Sequence, residues 1–261
     1  MKIRVTHSPD SPNILTDAAS VMEMCAHPES FVGTKVIHDG RNRVVLYTDK
    51  ANGRKYVIKS FKQPNTAQRI AYTWFTPSKA KRAYNYAAEL RARGIDTPKE
   101  TAYIETYMHG LLSHCYFICE YIPWPSLASL WLPNLPFTDA QIGLLAGTLV
   151  KMHEAGVLHG DTNIGNFLYD AETNKLTTVD VNRTKFLERE PSHKECLDNM
   201  VRLTHRTDVL GKTGEQYARL RGWNEKEVTE YLLESLHEFE QKRNRRQKMK
   251  KLFLTDKKPY P

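Results

Sequence analysis

Cysteine is scarce in this chain: Cys25, Cys115, Cys119 and Cys196 are the four in 261 residues. Four thiols make no framework of bridges for a protein of this size, and a reducing compartment suits them. Long apolar runs are missing too. A membrane-spanning helix needs roughly 18 consecutive apolar residues, and the best stretch, around Gly143 to Val150, is far shorter. The first ten residues, M-K-I-R-V-T-H-S-P-D, lack the apolar centre of a secretion signal, so the chain is expected in the cytoplasm. No internal repeats or low-complexity tracts occur. A zinc cluster of His109, His114, Cys115 and Cys119 is not indicated, because Y-F-I-C-E-Y-I reads as a buried strand in which Cys is a small apolar residue.

The residues that are present describe an ordinary globular protein, 40% apolar and 26% charged. The length suits one large domain or two lobes sharing a cleft. A net charge of +8 predicts attraction to something anionic: nucleic acid, acidic lipid or a phosphorylated substrate. Basic motifs interleaved with aromatics for base stacking are not evident, so nucleic acid is not expected.

The most informative stretch runs from Val157 to Asp180. It places a carboxylate in a loop (Asp161), an amide five residues on (Asn166) and a second carboxylate at the end of a β-like run (Asp180). Phosphoryl transfer from ATP needs this set. One acid orients the attacking hydroxyl; the amide oxygen and the other acid hold the magnesium that neutralises the phosphates. Loop-capping Asp and Asn in a hairpin are the plainer explanation for any one of them alone. Their order, with His159 leading and apolar runs on either side, favours the phosphoryl-transfer site.

His159-Gly160-Asp161 through Asn166 resembles the catalytic loop of the protein-kinase-like superfamily, with Gly160 where protein kinases carry Arg. The segments V-D-V-N-R-T-K-F (179–186) and S-K-A-K-R-A-Y (78–84) resemble the lipopolysaccharide kinase family, which phosphorylates Kdo or heptose sugars of the inner core. The likeness extends from about Gly33 to Leu252. It implies an α+β, two-lobed protein-kinase-like fold: an antiparallel sheet plus helix in residues 1–122 and a mostly helical lobe in 123–261. It further implies ATP and magnesium as cofactors and a lipid A–core glycolipid as acceptor.

Along the chain, residues before about Pro28 read as a loose lead-in. From Gly33 to Lys62 three β-branched and aromatic runs, divided by Asp39-Gly40 and Asn52-Gly53, predict an antiparallel meander. The first turn stands where a kinase keeps its phosphate loop, but Gly40 is its one glycine. Backbone amides there, with Arg41 or Arg43, could meet phosphate. Lys59 in Y-V-I-K lies on the third strand, where either a solvated lysine or a phosphate-pairing one fits. A helix capped at Thr76-Pro77 and stopped by Gly94 follows. Glu89, the one acid between Asp49 and Asp96, is the local candidate to pair with Lys59, although relatives place that acid nearer Ala83. Arg54 to Arg93 holds ten Lys or Arg against this single Glu, a solvated face or a surface for phosphorylated glycolipid.

The strand ending C-E-Y-I-P-W-P resembles the hinge between kinase lobes, which implies that the backbone of Glu120 and Ile122 meets adenine, with Cys119 behind. The remainder reads helical. Capping boxes at Thr138–Gln141, Ser192–Glu195 and Asn224–Glu227 each open a helix. The last helix turns basic, with Lys242, Arg243, Arg245, Arg246, Lys248, Lys250 and Lys251 in ten residues. Such a cluster could serve the helix dipole or an anionic inner-membrane leaflet. Because Asp180 is followed by Val-Asn and no A-P-E occurs, a glycolipid or small-molecule acceptor is favoured over a peptide. A RIO-like protein kinase or a soluble metabolite kinase shares the pattern. A pseudokinase or basic binding module is disfavoured by the complete Lys59, Asp161, Asn166 and Asp180 set.

Overall fold

Strand alternation and turn-forming pairs build the first half of the protein. A computed structural model describes residues 1–131 and 136–255, with side chains through 249, so the side chains of Lys250, Lys251 and Leu252 lie outside the described residues. The first half holds strands β1 (Lys2–His7), β2 (Thr34–Asp39), β3 (Arg43–Thr48), β4 (Lys55–Ser60), β5 (Glu100–Met108) and β6 (Leu111–Glu120). They form one sheet in the order β1-β5-β6-β4-β3-β2, and every neighbouring pair is antiparallel. Helices α1 (Asn13–Thr16) and α2 (Ala18–Ala26) precede β2; α3 (Thr66–Trp74) and α4 (Lys79–Ala92) link β4 to β5.

Two expectations for this half change. The segment before Pro28 is not a loose lead-in. β1 extends the sheet along β5, and Asp17 caps α2 by accepting from the Ser20 amide at 2.8 Å. Val21, Met24 and Cys25, at helical spacing, bury against Val45, Tyr56 and Ile58 on the back of the sheet. Burial of each large side chain stabilises by about 1.5–3 kcal/mol, enough to fix so short a helix. The helix boundary also moves. Residues 66–74 are themselves helical, closed by a reciprocal Asn65–Gln68 capping box, so Thr76-Pro77 is the joint between two helices. Ser78 caps α4, with its hydroxyl accepting from the Lys81 amide at 3.1 Å.

The second half is mostly helical: α5 (Leu127–Trp131), α6 (Asp139–Glu154), α7 (His193–Met200), α8 (Thr207–Arg221) and α9 (Glu225–Thr255). Short strands β7 (Val157–Leu158), β8 (Phe167–Asp170), β9 (Lys175–Thr178) and β10 (Lys185–Phe186) pair as β8-β9 and β10-β7. The boxes at Thr138 and Ser192 form as expected, and the α6 stripe Ile142, Leu145, Leu149 and Met152 is buried. Ala87 and Leu90 of α4 belong to this helical core, while Ala80 and Ala83 pack under the sheet. One helix thus ties both halves together.

His153, near the end of α6, is fully buried. Its Nδ1 meets the Tyr217 hydroxyl at 2.8 Å and its Nε2 meets Asn199 Oδ1 at 3.1 Å. Burial pulls its pKa down to about 4 from an ordinary 6.5. The neutral ring contributes stability that is fully present above pH 6.5 and is lost as the pH falls toward 4. Urea midpoints across that interval should therefore fall more steeply in the wild type than in His153→Gln, whose amide does not titrate. Parallel curves would show that His153 contributes nothing to acid lability.

Candidate active site

Alternation on β4 sends Ile58 into the rear core and Lys59 to the opposite face. Lys59 sits across from Val44 of β3 and Phe117 of β6, and all three line a cleft of about 480 Å³ between the halves. Lys59 Nζ lies 2.6 Å from Asp180 Oδ1, linking residues 121 positions apart. Asn182 Nδ2 donates to the same oxygen at 2.5 Å. Asp180 adopts a left-handed backbone, φ 58° and ψ 46°. A non-glycine residue held there carries local strain, a feature that clusters at functional sites.

The loop before it is held by its own backbone. His159 is buried; its Nδ1 accepts from the Asp161 amide and its Nε2 faces the Val179 carbonyl, each at 3.1 Å. Burial lowers its pKa, so the ring is a neutral strut between the loop and the segment around Val179. Asn166 Nδ2 donates to the Asp161 carbonyl at 2.8 Å, and the Val179 amide donates to the Asn166 carbonyl at 2.9 Å. Asn199 of α7, which has no sequence signal beyond its place in a capped helix, donates to the His159 carbonyl at 2.8 Å. Through His153, that contact links the loop to the helical core. Gly160 is explained by space. A Cβ there would fall 2.2 Å from the Arg183 carbonyl oxygen and 2.5 Å from the Arg183 Cβ, so no side chain fits.

Asp161, its side chain 29% exposed, is not among the lining residues of that cleft; it lines a separate cavity with His159, Asn199 and Arg202. Arg183 and Arg202 stand 3.8 and 4.0 Å from its two oxygens, half-exposed pairs worth little as stabilisation. Neither arginine was singled out in the sequence as part of the site.

The other expected residues divide. Glu120 and Ile122 line the cleft beside Cys119 and Trp124. The Glu120 amide donates to the Lys99 carbonyl at 2.9 Å. Burial pushes the Cys119 thiol up to about 12, which makes it an apolar wall. Gly40 and Arg41 are not among the cleft's lining residues; Ile37, His38 and Val44 take that side, and Arg41 lines a separate cavity. Glu89 must be reassigned. It lies near the end of α4, where its carboxylate accepts from Arg93 Nε at 2.8 Å. That guanidinium donates to the Ala155 and Leu187 carbonyls at 2.9 Å, so Glu89 orients a clamp between the halves. The cleft side of α4 presents Ala83 and Ala87, and Asp180 supplies the carboxylate for Lys59.

The donor set fits a magnesium ion. With its amide nitrogen engaged, Asn166 has its side-chain oxygen left to offer. Asp180 Oδ1 holds Lys59 and Asn182, which leaves Oδ2. Hard oxygen donors of this kind are what magnesium selects, with phosphate oxygens and water completing its shell.

Comparison with known proteins follows the same lines. The profile of the Lipopolysaccharide kinase (Kdo/WaaP) family matches residues 34–230. A 3-deoxy-D-manno-octulosonic acid kinase of Vibrio cholerae serotype O1 is 29% identical over 113 residues, or 42% of this chain and 47% of that protein. The chain thus matches about half the length of that curated relative. The structure of WaaP in complex with acyl carrier protein aligns with a TM-score of 0.54 at 18% identity, over 93% of this chain and 98% of that one. At that identity the likeness is one of fold: an antiparallel sheet followed by a helical half.

Proposed function

We propose, for a chain that belongs to the lipopolysaccharide kinase (Kdo/WaaP) family, that it transfers the terminal phosphoryl group of ATP to a sugar hydroxyl of the lipopolysaccharide inner core, Kdo or heptose. The observation that carries this reading is the convergence of Lys59, Asn166 and Asp180, from distant parts of the chain, on one cleft, with the Asp161 backbone tied to Asn166.

Each residue has a task that its surroundings suit. The apolar slot between Val44, Val57 and Leu168 receives the adenine, and the backbone of Glu120 and Ile122 meets its edge. Lys59 grips the inner phosphates. Asn166 and Asp180 hold magnesium, which neutralises charge on the phosphates when bound. Asp161 takes or orients the proton of the attacking hydroxyl. Arg183 and Arg202 beside it would steady charge on the transferring group. His159 has both ring nitrogens engaged within the loop and takes no part in proton transfer.

The acceptor is presented by a membrane. Among the described residues no helix is long and apolar enough to cross one. The basic end of α9, with Lys242, Arg243, Arg245, Arg246 and Lys248, suits contact with an anionic inner leaflet instead, at about 1 kcal/mol per charge.

Turnover of magnesium-ATP with a panel of acceptors tests the proposal. Phosphorylation of Kdo-lipid A or its heptose-extended forms is expected, faster in vesicles containing anionic lipid than in neutral ones. Mass spectrometry of core oligosaccharide from cells carrying Asp161→Ala should show one phosphate fewer. Turnover of peptides or free metabolites, with none on any core glycolipid, would overturn the assignment.

A further inference from the structure

Apart from the nucleotide cleft, and sharing no lining residue with it, is a second cavity of about 250 Å³. It lies between the β2–β3 turn and the starts of α3 and α4. Its lining is Arg41, Lys62, Gln63, Asn65, Gln68 and Lys79. No acid is among them. Asn65 Oδ1 accepts from the Gln68 amide at 2.9 Å, and Gln68 Oε1 from the Asn65 amide at 3.3 Å. With both oxygens engaged in the cap, these side chains have NH2 groups left to present. The wall therefore consists of cations and hydrogen-bond donors.

A solvated basic face would not need this arrangement. The first turn of α4 holds Lys79, Lys81 and Arg82 with no acid, the reverse of what the helix dipole favours. Lys79 is partly withdrawn from water, and its pKa is lowered, first by burial and then by Arg41, with Arg183 and Arg82 acting the same way. Arg82 has its Nε buried without a hydrogen-bond partner. Arg41 and Lys62 are exposed and Lys79 is half-buried; like charges gathered with no acid among them repel, and a bound anion relieves that repulsion. Arg183, whose charge also acts on Lys79, stands 3.8 Å from Asp161.

The geometry points to this cavity as a subsite for an oxyanion, phosphate or carboxylate, carried by the acceptor and held by Arg41, Lys62 and Lys79 while a hydroxyl of the same molecule faces Asp161. This inference rests on the kinase reading above and adds the acceptor's handle to it.

The test uses Lys62→Gln/Lys79→Gln in the full chain. With the cleft saturated by magnesium-ADP, inorganic phosphate is titrated while thermal unfolding is followed. The wild type and an Arg245→Gln/Arg246→Gln control should be stabilised at phosphate concentrations at least tenfold lower than the double variant requires. An equal response in all three would show an adventitious ion only and overturn the subsite. Steady-state kinetics supply the second arm. The double variant should raise KM for the core glycolipid at least tenfold and leave KM for ATP unchanged. Wild type and variant should become alike on whichever acceptor form, dephosphorylated or carboxyl-reduced, lacks the recognised group, which identifies the source of the anion. A rise in KM for ATP instead would make the cavity part of the nucleotide site and sink the proposal. If the wild type phosphorylates no core glycolipid, the kinase reading falls, and the phosphate titration still decides the cavity.

Discussion

Asp161→Asn should lower kcat by about 10²–10⁴-fold, the contribution of a positioned general base, with ATP affinity and melting temperature unchanged. The substitution removes the proposed proton acceptor and little else. What anchors residue 161 is its backbone: the amide donates to His159 Nδ1 and the carbonyl accepts from Asn166 Nδ2, and an asparagine keeps both bonds. Among the described residues its side chain makes only the long contacts to Arg183 and Arg202, so the fold loses almost nothing with the charge. Single-turnover rates, nucleotide titration and thermal melts on the same preparation separate these effects. A kcat within threefold of wild type would remove Asp161 from the chemistry.

Asp180→Asn should be as severe through a different route. The change deletes the carboxylate that pairs with Lys59 at 2.6 Å and that is proposed to hold magnesium. Loss of a preorganised electrostatic group in an enclosed site costs about 10²–10³-fold in rate, and metal affinity should fall with it. Backbone conformation decides how cleanly this can be measured. At φ 58° asparagine is among the residues that tolerate the left-handed region, so Asp180→Asn should fold like the wild type. Asp180→Ala should lose a further 1–2 kcal/mol or so of stability, because alanine carries the full steric penalty there. Lys59→Met should match Asp180→Asn in lost rate without the fall in magnesium affinity. Activity above a tenth of wild type in Asp180→Asn, or equal magnesium dependence in the two variants, would contradict the roles assigned.

Much of this site could be read from local pattern. Asp161, Asn166 and Asp180 lie within twenty residues of one another, on a loop and a short hairpin whose geometry is local. Lys59 was readable because strand alternation assigns it a face, and the meander that carries it is punctuated by Asp-Gly and Asn-Gly turns. Glu89 shows the limit. Choosing it as the partner of Lys59 used composition, the one acid in a basic stretch, where the deciding quantity was its turn of the helix. At the far end of α4 it meets Arg93 four residues on, a pairing that helical spacing alone permits. The helix starts at Ser78 and not at Thr76-Pro77, which carries the same capping signature two residues earlier. The role of α2 was missed although Val21, Met24 and Cys25 stand at helical spacing, because two nearby prolines suggested an irregular segment.

By itself, the amino-acid sequence determined an antiparallel meander, capped amphipathic helices, and two carboxylates and an amide in the order a kinase carries them. Periodicity, caps and turn residues act over a few positions, so they are written locally. The tertiary structure alone decided which carboxylate meets Lys59, why residue 160 has no room for a side chain, and that Arg41, Lys62 and Lys79 surround one cavity. Those outcomes depend on distances between segments far apart in the chain, set by how the halves pack across α4, and no local pattern records them.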